Sequence, residues 1–203
     1  NTALNFDGSD DEISVNSSFI QQEFTLEFWV NPGSSQLSYA IIFDNNHTGS
    51  QNWVVQQNNN NLNEYYFYAA KAGGGGASVP FFLTANTWNH VSLVKTTNAL
   101  ECYINGTFFQ STPWSGTINY NNQFLRIGHW PNFGRNWKGT LDEVRIWDRA
   151  LCQSEIQGRM NSSLQGNENG LLAYYDFEEG VSGADNTALT EVKDVANNNH
   201  GTL

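Results

Sequence analysis

The sequence predicts an all-β protein in which two antiparallel sheets pack face to face around one core. Three observations carry that prediction. Short segments with apolar residues at every second position recur along the chain, separated by turns rich in Gly, Asn and Asp. Aromatic residues make up 14% of the chain and charged residues also 14%, a profile that suits half-buried strands and tight turns. At 203 residues the chain can bury one sizeable core, and sandwiches of this length commonly form a single domain.

The elements follow in order. Leu4 and Phe6 alternate with Asn5, and the turn Asp7-Gly8-Ser9-Asp10 leads into Ile13 and Val15. Phe24, Leu26, Phe28 and Val30 make the clearest inward face, with Glu27 and Trp29 opposite and Asn31-Pro32-Gly33 as the stop. Strands are expected at 41–43, 53–56 and 65–69, with an Asn-rich loop at 58–63. Gly73 to Gly76 predict a loop, because four glycines are too permissive to hold a strand. No helix start or Lys-Ser/Thr follows them, which argues against a phosphate cradle. Trp88 to Lys95 and Leu100 to Gln110 come next, the latter folded at Asn105-Gly106, a pair suited to a type I′ turn. Trp29 and Trp88 are expected to serve packing. Strands are expected at 124–128, 139–147 and 171–177, and one short helix near 154–160 with Ser154 as its cap. Residues 178–203 read as a loop-rich tail.

The segment Leu141-Asp-Glu-Val-Arg-Ile-Trp147 holds an oddity. Val144 and Ile146 share one face at period two, and Asp142 falls in phase with them. A carboxylate aimed at a core is costly unless it is paired or bound to a metal.

Six segments carry a family likeness in their order. They are Ala3-Leu-Asn-Phe-Asp-Gly-Ser-Asp-Asp-Glu-Ile13, Phe24-Thr-Leu-Glu-Phe-Trp-Val30, Trp88-Asn-His-Val-Ser-Leu-Val94, Cys102-Tyr-Ile-Asn-Gly106, Leu125-Arg-Ile-Gly128 and the stretch from Leu141 to Ile156. The chain resembles a laminin G-like, concanavalin A-type jelly roll of the pentraxin-related kind common in bacterial surface and polysaccharide-degrading proteins. The resemblance covers nearly all of the chain. It implies one domain over 1–203, with two stacked sheets, one concave and one convex, and core strands within 1–177. The tail, which carries Asp194-Val-Ala-Asn-Asn-Asn-His-Gly201, either packs beside the first strand or begins a following repeat.

The resemblance also implies structural Ca2+ where the terminal strands meet the strand of Asp142. Calcium takes hard oxygen ligands, and the candidates are Asp142, Asp7, Asp194, Asn197 and Asn199, with Asp10 and Asp11 in the turn of Asp7. The plainer reading of these turns is that each Asp or Asn bonds its own backbone. The acidic loop of pentraxins has no counterpart, since Gly128-His-Trp-Pro-Asn-Phe-Gly134 holds no carboxylate. Calcium-dependent phosphocholine binding is therefore not expected.

Sugars are held by flat aromatic faces with a few polar groups that fix the hydroxyls. Trp114, Trp130 and Trp137 stand in turn-rich stretches near Asn132, Arg135 and Asn136, while Trp53, Tyr65, Tyr66 and Tyr68 are placed to line an outer sheet face. Carbohydrate contact is assigned to Trp114, Trp130, Asn132, Arg135, Trp137, Trp53 and Tyr66; the alternative for each ring is a place in the core. Arg135 suits an anionic sugar group, or simple solvation in its loop.

The net charge of −11 has no basic stripe to offset it, which argues against nucleic acid as a partner. No apolar run is long enough to span a membrane. Cys102 and Cys152, the two cysteines, form either one disulfide or two small buried thiols. Glucanases of the resembled fold carry alternating Glu-x-Asp-x-x-Glu carboxylates, and this pattern is absent. The expectation is a non-catalytic carbohydrate-binding module of a larger secreted or cell-surface protein, with a polysaccharide and other domains of its parent chain as partners. The alternative is a structural or protein-adhesion spacer.

Overall fold

A computed structural model describes residues 2–203 apart from 18, 20, 46–51, 60, 121–123, 131–133, 182–183, 185 and 187. The strands are β1 (Leu4–Asp7), β2 (Ile13–Val15), β3 (Phe24–Pro32), β4 (Ile41–Asn45), β5 (Trp53–Asn58), β6 (Asn61–Ala70), β7 (Gly76–Phe82), β8 (Asn89–Lys95), β9 (Ala99–Ile104), β10 (Thr107–Pro113), β11 (Leu125–Ile127) and β12 (Lys138–Trp147). Helix α1 (Gln153–Arg159) follows, then β13 (Leu171–Tyr175), β14 (Glu191–Val192) and β15 (Gly201–Thr202). One sheet runs β1-β12-β3-β8-β9-β10, with β13 also on β12; the other runs β14-β15-β2-β11-β4-β5-β6-β7. The core lies between them. Phe24, Leu26, Phe28 and Val30 are buried, and they meet rings of the facing sheet, Phe28 on Phe43 at 4.8 Å and Phe24 on Trp53 at 5.4 Å. This is the two-sheet sandwich that the alternation and the family likeness both predict.

Several local expectations hold and several need correction. Asn105 and Gly106 have φ of 51° and 72°, as a type I′ turn requires. Gly73, Gly74 and Gly75 take left-handed φ of 90°, 104° and 74°, but Gly76 opens β7, a strand the glycine run concealed. β7 ends its sheet, where Pro80 is tolerated. The helix is capped by Cys152 rather than Ser154, its amide donating to Glu155 Oε2 at 3.0 Å. Both cysteines are free, Cys102 buried and Cys152 exposed, so neither the disulfide nor a buried second thiol is present. In the tail, β15 pairs with β2 at Gly201↔Val15. No described helix is long and apolar enough to cross a membrane.

The phase of Asp142 is resolved by a bulge. The β12–β3 register shifts between Asp142 and Arg145, and Glu143 has φ of 52°. The extra residue lets Leu141 and Val144 both face the core, and it turns Asp142 to the outer face of the first sheet. Asp142 is therefore not a core-directed acid.

That outer face is roofed by α1 and the chain after it, where Trp147, Leu151, Ile156, Leu164 and Tyr174 form a second apolar cluster. Beneath them Glu27, Ser92 and Arg145 are fully buried and hydrogen-bonded, with the Arg145 Nε left without a partner among the described residues. Glu27 accepts from Ser92 Oγ at 3.1 Å and Trp147 Nε1 at 2.8 Å, and Arg145 donates to Glu143, Arg159 O and Ser162 O.

Candidate functional site

Strands β5 and β6 build the floor of an open cleft on the outer face of the second sheet. Alternation sends Trp53, Val55, Tyr65 and Phe67 into the core and leaves Val54, Gln56, Tyr66 and Tyr68 facing outward. Register places Val54 opposite Tyr68 and Gln56 opposite Tyr66. Tyr39 joins from the loop before β4, and Trp130 and Arg135 from the chain between β11 and β12. Together these residues line a cleft of about 370 Å³. The loop is pinned to the sheet where the Ile41 amide donates to Arg135 O at 3.1 Å and Ile41 bridges Asn136.

The Arg135 guanidinium lies 5.1 Å from the Tyr39 ring centre and 5.0 Å from that of Trp130, within cation–π reach of both. Gln56 Nε2 donates to the Tyr66 hydroxyl. Burial pushes the Tyr66 phenol up, the Tyr39 hydroxyl adds to this, and the Arg135 charge opposes it; burial also pushes Tyr68 up. Both hydroxyls therefore stay protonated at neutral pH. Among the described residues, the cleft lining carries one charged side chain, Arg135, and no carboxylate. Beyond the lining, Arg126 reaches Glu12 at 3.2 Å and Asp44 at 3.9 Å. Flat rings, an amide and a cation can hold a pyranose and orient its hydroxyls.

The structure brings together Trp130, Arg135 and Tyr66 of the expected sugar-contacting set. It withdraws three others. Trp53, Trp114 and Trp137 are 1%, 3% and 1% exposed, so none can present a face to a ligand. Trp53 packs on Phe24 and Phe67, Trp137 lies edge-on to Phe6 at 5.7 Å, and Trp114 sits beneath the Lys95 ammonium at 4.8 Å. Asn132 lies outside the described residues. Tyr39 and Gln56 are the additions. Gln56 had a signal, because it follows Val54 at period two on the face opposite Trp53 and Val55; Tyr39 sits in a loop and had none.

The five expected calcium ligands fall in three places. Asp7 shares its turn with Asp10 and Asp11, whose carboxylate oxygens lie within 4.8 Å of one another. There Asp11 accepts from the Asp7 amide at 2.6 Å, and Asp7 from the Ser9 amide at 2.7 Å. Asp194 organises the tail, accepting from the amides of Tyr174, Ala196 and Asn199 and from Asn199 Nδ2. Asn197 and Asn199 both donate to Leu172 O. Asp142 lines a cleft on the outer face of the first sheet. Asp7 pairs with Lys138, four residues from Asp142 along β12, or roughly 13 Å at strand spacing. One ion cannot bridge these groups.

A two-sheet antiparallel sandwich of this kind defines a jelly-roll domain by its architecture. The chain belongs to the concanavalin A-like lectin/glucanases superfamily, whose laminin G family model matches residues 7–157. Among solved structures, a candidate carbohydrate-binding protein from Bacteroides ovatus is similar at 23% identity and a TM-score of 0.77, over 98% of this chain and 57% of that one. The receptor-binding domain of a botulinum neurotoxin C/D mosaic is similar at 18% identity and a TM-score of 0.65, over 79% of this chain and 44% of that one. The binding domain of botulinum neurotoxin serotype G gives 16% and 0.62, over 77% and 41%. At these identities the likeness shows the fold alone, and this chain spans little more than half of the first structure and under half of the toxin domains. No curated protein sequence matches it.

Proposed function

We propose that the chain is a non-catalytic carbohydrate-binding module of a larger secreted or cell-surface protein. The observation that carries this reading is the convergence of Tyr39, Gln56, Tyr66, Tyr68, Trp130 and Arg135 in one open cleft. A saccharide stacks on the Trp130 and Tyr faces, hydroxyls bond Gln56 and the phenols, and Arg135 answers a uronate or sulfate. The superfamily and the description of the Bacteroides ovatus protein both support it. A glycan array spanning plant, algal and bacterial polysaccharides tests it: binding is expected to at least one acidic glycan, and silence across the array overturns the reading.

A second reading, protein adhesion, has one observation in its favour. Phe82, Phe108 and Phe109 are 49%, 46% and 43% exposed on strands at the ends of both sheets. Calcium is a further part of the proposal, at Asp7, Asp10 and Asp11. Three hard carboxylates close together in a chain of net charge −11 suit that ion, whereas Asp194 is taken up by the amides of Tyr174, Ala196 and Asn199. Added calcium is expected to raise the melting temperature of the wild type and not that of an Asp10→Asn/Asp11→Asn variant. A melt indifferent to calcium and to chelation removes the ion from the account.

A further inference from the structure

Phe82 and Phe109 are 49% and 43% exposed, yet their rings meet edge to face with centres 6.2 Å apart. They come from different sheets, since β7 ends one and β10 ends the other. The two strands lie side by side there, and Thr112 Oγ1 donates to Ser78 O at 2.8 Å. Phe109 is the extra residue of a bulge: β10 pairs Phe108 with Tyr103 and Gln110 with Cys102, and leaves Phe109 unmatched. A bulge re-aims a side chain, and this one turns an apolar ring outward onto Phe82. Trp88 is also exposed, at 41%, which corrects its expected role in packing, but it lies with Trp29 on the outer face of the first sheet.

Register joins the pair of phenylalanines to the cleft of Trp130. Across β6 and β7, Tyr66 stands opposite Pro80 and Glu64 opposite Phe82, while Tyr65 and Phe81 point into the core. Phe82 therefore shares the outer face with Tyr66, as its diagonal neighbour. Gln56 on β5, Tyr66 on β6 and Pro80 on β7 make one row across the sheet, and Phe82 comes a two-residue step further. From β5 to Phe82 the row covers two strand spacings and that step, roughly 12 Å at standard strand geometry. Trp130 and Arg135 extend it past β5, on the side of β4, where Ile41 meets Arg135 and Asn136. Glu64 is held by Asn58 Nδ2 at 2.8 Å, so the far end of the row presents ring faces rather than a charge.

We propose that the cleft of Trp130 is one end of a longer groove, whose ligand is a polysaccharide chain crossing β5, β6 and β7 and resting a distal sugar on Phe82 and Phe109. This distal contact rests on the carbohydrate reading of the cleft, and adds to it a requirement for length. Strands stand roughly 4.8 Å apart, close to the advance of one sugar residue in an extended chain, so about four residues fill the row from β4 to β7. Edge-to-face packing between two strand ends holds the phenyl rings in place before the sugar arrives, which lowers the ordering cost of binding. Exposed phenylalanines by composition suit a protein partner equally well; the place of Phe82 on the face of Gln56 and Tyr66 assigns the pair to the glycan.

Calorimetric titration of the whole chain with di-, tetra- and hexasaccharides of polygalacturonate, alginate and carrageenan tests the proposal. In at least one series the hexasaccharide is expected to bind at least about tenfold more tightly than the disaccharide. Phe82→Ala and Phe109→Ala are each expected to weaken the hexasaccharide by about fivefold or more and to leave the disaccharide unchanged, whereas Trp130→Ala weakens both. Both phenylalanines are exposed, and circular dichroism checks that each variant keeps its fold. Equal binding of disaccharide and hexasaccharide, or undiminished hexasaccharide binding in both phenylalanine variants, overturns the longer groove and leaves the cleft itself as a site. No binding of any hexasaccharide also overturns the groove, while silence across the glycan array overturns the carbohydrate reading beneath it.

Discussion

Trp130 and Trp114 look alike in sequence, each a lone indole among turn residues, yet one lines an open cleft and the other packs under two lysines. Turn composition locates a loop but says nothing of which way its rings point, so two of the three tryptophans expected to contact sugar from turn-rich stretches, Trp114 and Trp137, were misread. On a strand the phase was available, and Tyr66 and Tyr68 were placed correctly, but Trp53 and Tyr65, one residue out of that phase, were set on the outer face and lie in the core. Residue-scale chemistry also fixes an acid response. His90 is 1% exposed, its Nε2 3.7 Å from Glu27 Oε1, and burial, then the Arg145 charge, pull its imidazole from 6.5 to about 3. In the unfolded chain the ring takes up a proton as pH falls through 6.5, while in the fold it resists until about 3. Its contribution is full above that window and is lost on acidification through it. Glu27, pushed up by burial, acts in the opposite sense. The urea midpoint is therefore expected to fall between about pH 7 and pH 5, and less steeply in His90→Gln. An equal slope in that variant would contradict the assignment.

At the scale of elements, β12 shows both the reach and the limit of pattern reading. Its sequence marked the strand, and its wording helped to identify the family, but a strict period of two put Asp142 in the core. The bulge was detectable in principle, because Leu141 and Val144 are both apolar and three residues apart, which no regular strand buries together. β7 escaped for a different reason: the turn glycines run directly into it, and an edge strand carrying Pro80 has weak β signals. The roof over the first sheet depends on Arg145, which is fully buried and ties Glu143 to the backbone of Arg159 and Ser162. Arg145→Ala leaves Glu143 buried without its cation and is expected to cost about 3–5 kcal/mol in chemical denaturation. A loss below about 1 kcal/mol would show that the network is dispensable.

The whole molecule treats its two outer faces differently. The first sheet is roofed by α1 and the following chain, leaving one walled cleft with two carboxylates; the second sheet carries the cleft of tyrosines, Trp130 and Arg135. The architecture was legible because six segments in order constrain a fold far more than any one of them. The site was legible only in part, since it draws on β5, β6 and two loops whose meeting depends on sheet order, which alternation alone does not give. The most direct measurement is affinity electrophoresis of the wild type, Trp130→Ala and Tyr66→Ala through gels containing the glycan that the array selects. The account predicts retardation of the wild type, and its loss in both variants with their folds intact by circular dichroism. Undiminished retardation of Trp130→Ala and Tyr66→Ala would contradict it.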